Sequence, residues 1–327
     1  MIALGIESTA HTFGVGIVND EGAILSNVRN MFKPELGKGF TPYELAEHHY
    51  AIANKVLEAT LKDAKLKLED IDIISFSQGM GIPNSLKVGS VVARYLAVKY
   101  KKPLVGVNHG VAHIEIGKIK TGAKDPVIVY LSGGNSQVLA YVDGRYRVFG
   151  ETQDIPVGNA LDVLAREMGL PMPGGPEIER LARDGKFIEL PYVVKGMDMS
   201  FTGITTSAIG KFKEGVGKED IAYSMQEVCF SMLTEVTERA LAHTNKKEVL
   251  LVGGVAANKR LQEMMKTMCN ERGADFYVVP HEYSGDNGIM IGWTGALAYK
   301  SGRELSIEDS SVRQNWRTED VEITWLK

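Results

Sequence analysis

The chain is poor in cysteine, with only Cys229 and Cys269 among 327 residues. That excludes a disulfide framework and any thiolate-rich zinc site, and it fits a reducing compartment. It also lacks an excess of basic residues. Lys and Arg number 37 against 41 Asp and Glu, for a formal charge of -4. A generally basic nucleic-acid coat is excluded, and only local basic faces remain. No uninterrupted apolar run approaches the length that spans a bilayer. The first residues, Met1-Ile2-Ala3-Leu4-Gly5-Ile6-Glu7, show no basic n-region and no cleavable stretch of a signal peptide. A cytoplasmic protein without membrane contact is expected.

What is present is an ordinary globular balance, 44% hydrophobic and 24% charged. Glycine is plentiful at 35 residues, and several glycines stand in pairs after apolar runs. Such pairs suit tight strand-to-helix turns. At this length one core is near its limit, so two lobes are expected.

Periodicity predicts three antiparallel strands near residues 2–6, 14–18 and 23–28, with a hairpin turn at Glu21-Gly22. A helix follows over 42–61, with Leu45, His49, Ile52, Val56 and Leu57 along one side. A strand at 72–77, a helix at 86–99 and a strand at 104–107 complete the first unit. The pattern then restarts. Strands are predicted at 127–131, 137–142 and 145–149, followed by helices that include 219–243. A strand at 249–252 leads through Gly253-Gly254 into a helix from Ala257. The same unit occurs twice, which predicts a duplicated actin-like α/β fold, each lobe a mixed sheet flanked by helices. The boundary is placed in the polar 122–125 segment, giving lobes of 1–124 and 125–327.

Several short motifs carry candidate chemistry. His109 and His113 stand at i and i+4 after an apolar strand, where one helix face would bring both imidazoles to one metal. The same spacing also arises in a helix whose histidines merely cap or fill. Gly110 follows His109, so this is not the zinc-protease helix. Ser132-Gly133-Gly134-Asn135 joins two strands, either as an anion-binding backbone turn or as a plain hairpin. Val252-Gly253-Gly254-Val255-Ala256-Ala257-Asn258 lacks both the dinucleotide fingerprint and the P-loop lysine. Asp162 lies off the apolar face of its helix, four residues from Arg166. Glu177 and Glu179 fall in a helix start, where acidic residues suit the dipole. Asp286 precedes an apolar helix over 289–299; read alone, it is better placed as a helix cap than as a metal ligand.

Taken in order, these motifs resemble the universal tRNA threonylcarbamoyladenosine synthase family. The likeness is nearest to its archaeal and eukaryotic branch, the catalytic subunit of the KEOPS complex. It runs from Gly5-Ile6-Glu7 through Val107-Asn108-His109 and Ala112-His113-Ile114-Glu115-Ile116-Gly117. It continues through Ser132-Gly133-Gly134-Asn135, Gly158-Asn159-Ala160-Leu161-Asp162 and Pro173-Gly174-Gly175-Pro176. Lys195-Gly196-Met197-Asp198, Gly253-Gly254-Val255-Ala256-Ala257-Asn258 and Asp286-Asn287-Gly288 complete it.

The resemblance implies transfer of a threonylcarbamoyl group from threonylcarbamoyl-AMP to tRNA. The acceptor is N6 of the adenosine 3′ of the anticodon, in tRNAs reading codons that begin with A. It implies one metal held by His109, His113, Tyr130 and Asp286. That donor set suits iron, with zinc or magnesium as substitutes. It further implies an adenylate site of Tyr130, Leu131, Ser132, Gly133, Gly134, Asp162, Gly175, Glu179 and Asn258. His11 and a metal-bound carboxylate are both open as acceptors of the adenosine N6 proton. The implied partners are tRNA, a small kinase-like ATPase and a small dimerising subunit, with the helix around 42–61 as a docking surface.

Some positions depart from the family pattern. The usual Gly-Pro-Gly-Leu-Gly-Pro loop reads Gly79-Met80-Gly81-Ile82-Pro83-Asn84, and Ser8, Gly110, Met172, Thr202 and Ser284 replace commoner residues. None is a proposed metal ligand. Three other classes compete: an ATPase or sugar kinase of the same fold, a metallopeptidase (the older label of the family) and a non-catalytic scaffold. The first is disfavoured by Glu7-Ser8-Thr9 where such kinases carry an aspartate, the second by the missing His-Glu-x-x-His pattern.

Overall fold

A computed structural model describes residues 1–34 and 39–326. The first unit opens with strands β1 (Ile2–Glu7), β2 (Thr12–Asn19) and β3 (Ile24–Met31). Helix α1 (Pro42–Ala64), β4 (Ile73–Gly79), α2 (Pro83–Tyr100), β5 (Leu104–Asn108) and α3 (His109–Thr121) follow. The second unit has β6 (Val127–Leu131), β7 (Ser136–Val142), β8 (Arg145–Glu151), α4 (Val157–Glu167) and α5 (Gly174–Ala182). A short hairpin of β9 (Val194–Lys195) and β10 (Asp198–Met199) leads to α6 (Thr202–Lys213) and α7 (Lys218–Thr244). Then come β11 (Glu248–Val252), α8 (Lys259–Arg272), β12 (Asp275–Val278), α9 (His281–Ser284) and α10 (Gly288–Lys300).

The two large sheets are five-stranded and have matching orders, β3-β2-β1-β4-β5 and β12-β11-β6-β7-β8. In each, the first strand pairs antiparallel with the second and parallel with the fourth. The predicted duplication is therefore present strand for strand. The hairpins turn where the sequence supplies left-handed residues: Gly22 has φ 84°, and Asp143 and Gly144 have φ 50° and 76°. Helix α1 begins at a capping box between Thr41 and Glu44 and buries Leu45, His49, Ala53, Val56 and Leu57. Pro83 stands in the first turn of α2, where a missing N–H costs nothing.

Two helices decide where the site lies. Helix α10 follows the second sheet in sequence but packs on β1, β2 and β4 of the first. The approach is backbone to backbone. A Cβ at Gly5 would sit 2.1 Å from Gly292 N, and one at Gly16 would sit 2.4 Å from Ile289 N. Helix α3 lies against α10 and against β6 and β11. Its Val111 and Ile114 enter the second core, while Ala112 and Ile116 pack with Ile289 and Met290. After α10 the chain returns to the first lobe, where Gln78 Nε2 donates to Ser311 O at 2.9 Å. The structure adds β12, which periodicity does not predict, and moves a helix start: Gly254–Ala257 forms a 3-10 turn, and α8 starts at Lys259 instead of Ala257.

Candidate metal centre

Strand β5 ends at Asn108 and α3 begins at once. The Asn108 side chain accepts from Val111 N at 3.1 Å and caps the helix. His109 and His113 thus stand one turn apart on the same face, both buried. The third group comes from the segment before α10. Asn287 caps that helix, accepting from Met290 N at 2.9 Å, so the capping role expected for Asp286 falls one residue later. The Asp286 carboxylate turns inward instead. Its Oδ1 lies 3.3 Å from His113 Nε2 and 3.5 Å from His109 Nε2. The donor atoms of the three residues all lie within 4.8 Å of one another. Tyr130, at the end of β6, is fully buried, and its ring centroid is 5.2 Å from that of His113. Its hydroxyl accepts from Asn135 Nδ2 at 3.4 Å.

The electrostatics follow from burial and charge together. Burial disfavours the His109 cation, but the Glu7 and Asp286 carboxylates outweigh it and raise the imidazole to about 9. His113 goes the other way, lowered first by burial and then by the His109 charge. Burial would raise Asp286, yet the two imidazoles pull it well below the ordinary carboxylate range. Burial raises the Tyr130 phenol, and the nearby Asp286 charge adds to that. Among the described residues, His113 Nδ1 has no hydrogen-bond partner. Two imidazoles and a carboxylate converging in a buried place form an N/O set able to hold one metal ion.

Beside Tyr130 the chain turns through Ser132 to Asn135. Leu131 is buried, and Ser132 Oγ accepts from Gly134 N and Asn135 N at 3.2 and 3.0 Å. Gly133 and Gly134 face open space, whereas a Cβ at Gly158 would meet Ser132 O at 2.5 Å. The first turn of α4 thus lies directly under this loop. Its N-cap Pro156 offers no side-chain cap; Val157 N donates to Ser136 Oγ at 2.8 Å, and the N–H groups of Gly158 and Asn159 are left as donors for an incoming anion among the described residues. Asp162 does not spend itself on Arg166; it accepts from Gly174 N at 2.7 Å and holds the start of α5. Burial raises this carboxyl. Gly175 also faces open space. Glu179 accepts from Lys259 N at 2.8 Å, and Asn258 caps α8 while donating to Gln226 Oε1 at 2.6 Å. These residues therefore gather around the starts of α4, α5 and α8.

A sequence profile of the tRNA N6-adenosine threonylcarbamoyltransferase family (TsaD) matches residues 23–293. The chain belongs to this family. A protein of that name from Thermococcus sibiricus is 55% identical over 99% of this chain and 100% of its own length. One from Archaeoglobus fulgidus is also 55% identical, over the same shares of the two chains. A probable bifunctional tRNA threonylcarbamoyladenosine biosynthesis protein from Methanocaldococcus jannaschii is 54% identical, and this chain spans 61% of it. Among solved structures, full-length HypF superposes with a TM-score of 0.63 at 12% identity, covering 91% of this chain and 55% of that one. The activator of 2-hydroxyisocaproyl-CoA dehydratase from Clostridium difficile gives 0.54 at 14% identity, covering 94% and 99%. At such identities the likeness is one of fold, the duplicated actin-like architecture.

In this threonylcarbamoyltransferase-family chain, the structure also brings up residues that spacing did not single out. Glu7, fully buried at the end of β1, lies 3.0 Å from His109 Nδ1 through Oε2. Thr9 Oγ1 is 3.3 Å from the same nitrogen. Arg29 on β3 donates to the Asp286 carbonyl at 3.1 Å. The one available signal was an acidic residue ending an otherwise apolar strand, which burial makes costly unless it is paired.

Proposed function

We propose that this chain transfers a threonylcarbamoyl group from threonylcarbamoyl-AMP to N6 of the adenosine 3′ of the anticodon, in tRNAs reading codons that begin with A. The observation that carries the reading is the His109, His113 and Asp286 cluster beside the open Gly133-Gly134 turn, in a chain of this family. His109, His113, Tyr130 and Asp286 would hold the metal, for which iron is the choice and zinc or magnesium the substitutes. When bound, such an ion supplies Lewis-acid polarisation of the threonylcarbamoyl carbonyl. The protein's own groups do the rest. The start of α4, beside the open Gly133-Gly134 turn, offers backbone N–H groups to the adenylate phosphate. Asp162, Gly175, Glu179 and Asn258 line the remainder of the adenylate site. As the bond from the carbamoyl carbon to N6 forms, its bond to the phosphate oxygen breaks, AMP leaves with the electron pair, and the proton lost from N6 passes to His11 or to a carboxylate at the metal site. The phosphate is a good leaving group, so the site needs no strong acid there.

The two lobes are taken as 1–124 and 125–327, with α10 exchanged onto the first sheet. The proposed partners are tRNA, a small kinase-like ATPase and a small dimerising subunit, in the cytoplasm. Exposed apolar side chains on the paired helices α1 and α2 support a protein contact there: Tyr43 and Tyr50 on one, Val91, Tyr95 and Val98 on the other.

The test is incorporation of labelled threonine into tRNA by the purified chain with its partners, iron and fresh threonylcarbamoyl-AMP. Wild type is expected to label tRNA. The His109→Ala, His113→Ala double variant is expected to lose at least about a hundredfold, in keeping with removal of a polarising group. Equal labelling by a folded double variant would overturn the metal-centred reading.

A further inference from the structure

Glu7 is a fully buried carboxylate whose two oxygens have different partners. Oε1 accepts from Thr9 N at 2.6 Å and from the Thr9 hydroxyl. Oε2 faces His109 Nδ1 at 3.0 Å. A carboxylate can only accept, so it holds the imidazole proton on Nδ1. In the neutral ring, the form that ligates a metal, the lone pair is then left on Nε2, the atom that faces Asp286. We propose that Glu7 is a positioning residue that fixes the tautomer of His109, and so makes its Nε2 a metal donor. This rests on the metal reading above. Carboxylates that orient a ligating imidazole in this way typically change metal affinity by about 10–100-fold when removed.

The geometry makes an unusual demand of the amide isostere. The Thr9 backbone N–H is a fixed donor, so the amide oxygen of a Glu7→Gln side chain must take its side. The NH₂ group would then face His109 Nδ1, which can answer only with its lone pair. The ring proton moves to Nε2, and the metal donor is blocked. Glu7→Ala, by contrast, leaves the tautomer free. The gentler substitution in shape is therefore the more damaging one for metal binding. A residue with a purely structural role would show the reverse order.

The experiment measures zinc affinity by competition with a chromophoric chelator, on the full chain, with circular dichroism to confirm folding. Wild type is expected to bind one zinc per chain. Affinity should fall about tenfold in Glu7→Ala and about a hundredfold in Glu7→Gln. In a His109→Ala background, both Glu7 substitutions should change affinity by less than about twofold, since partners acting through one group are not additive. If Glu7→Ala fails to fold, Glu7→Gln compared with wild type in the two backgrounds decides the matter. Glu7→Gln binding as tightly as wild type, or more tightly than Glu7→Ala, would overturn the proposal while leaving the metal reading intact. A wild type without stoichiometric zinc would remove the metal reading, and this proposal with it.

Discussion

At the scale of single residues, burial converts a titration into stability. His49, on α1, is fully buried against Phe13 and shares a 3.2 Å contact between its Nδ1 and that of His48. Burial first, and then the neighbouring His48 charge, push it from the ordinary 6.5 down to about 4. In the unfolded chain this imidazole takes up its proton near the ordinary value; in the fold it resists until about pH 4. Between those values the unfolded state binds more protons, so stability falls as pH falls. The loss is at most roughly 3 kcal/mol, because each tenfold change in proton affinity is worth about 1.4 kcal/mol. Urea denaturation from pH 7 to pH 4 should therefore fall more steeply for wild type than for His49→Leu. Parallel curves would mean that His49 is not the group responsible. The same reasoning explains why Glu7 was hard to weigh from sequence. An acidic residue in Ala3-Leu4-Gly5-Ile6-Glu7 has meaning only once its partner, 102 residues away, is known.

At the scale of elements, the site depends on how closely α10 approaches β1 and β2. Gly5, Gly16, Gly288 and Gly292 let two backbones touch, and Asp286 stands just before the helix they seat. Gly5→Ala would drive a Cβ to 2.1 Å from Gly292 N and 2.2 Å from Gly288 O. Backbone on both sides leaves no flexible side chain to yield. A destabilisation of about 3 kcal/mol is expected, the upper end for overpacking, because the helix must lift from the sheet. Thermal unfolding checks the stability term. Zinc affinity of the folded fraction checks the positional one, and should fall as Asp286 is carried away from His113. As a control, Gly144→Ala faces open space on a surface turn. It carries only the left-handed strain of its φ and should leave zinc affinity unchanged.

At the scale of the whole molecule, the candidate metal donors tie together distant stretches of chain. The histidines follow the last strand of the first sheet, while Asp286 follows the last strand of the second. Helix α3 packs on strands of both sheets and α10 packs on the first sheet and on α3, so an ion held by them stabilises their contact. Anything that binds the folded state alone stabilises it, by about 2.7 kcal/mol at a hundred times its dissociation constant. Stoichiometric metal should raise the unfolding temperature by several degrees, and chelation should lower it again. The His109→Ala, His113→Ala variant should show neither shift. A metal-induced rise that persists in that variant would place the ion elsewhere.

The sequence by itself determined the strands of the two large sheets except β12, the two hairpin turns, the repeat and the pairing of His109 with His113. Alternation, left-handed glycines and helical spacing are local, and each is enforced within a few residues by which face is buried. It left Asp286 between capping and ligation, because both need the same side chain at the same helix start. Tertiary structure decided between them. Asn287 takes the cap, and α10, seated on glycine, swings Asp286 to His113, 173 residues earlier, and to His109 beside it. The roles of Glu7, Thr9 and Arg29 were likewise decided there. Their partners lie on other strands and helices, and no period in a linear chain encodes which distant backbone will arrive beside a given side chain.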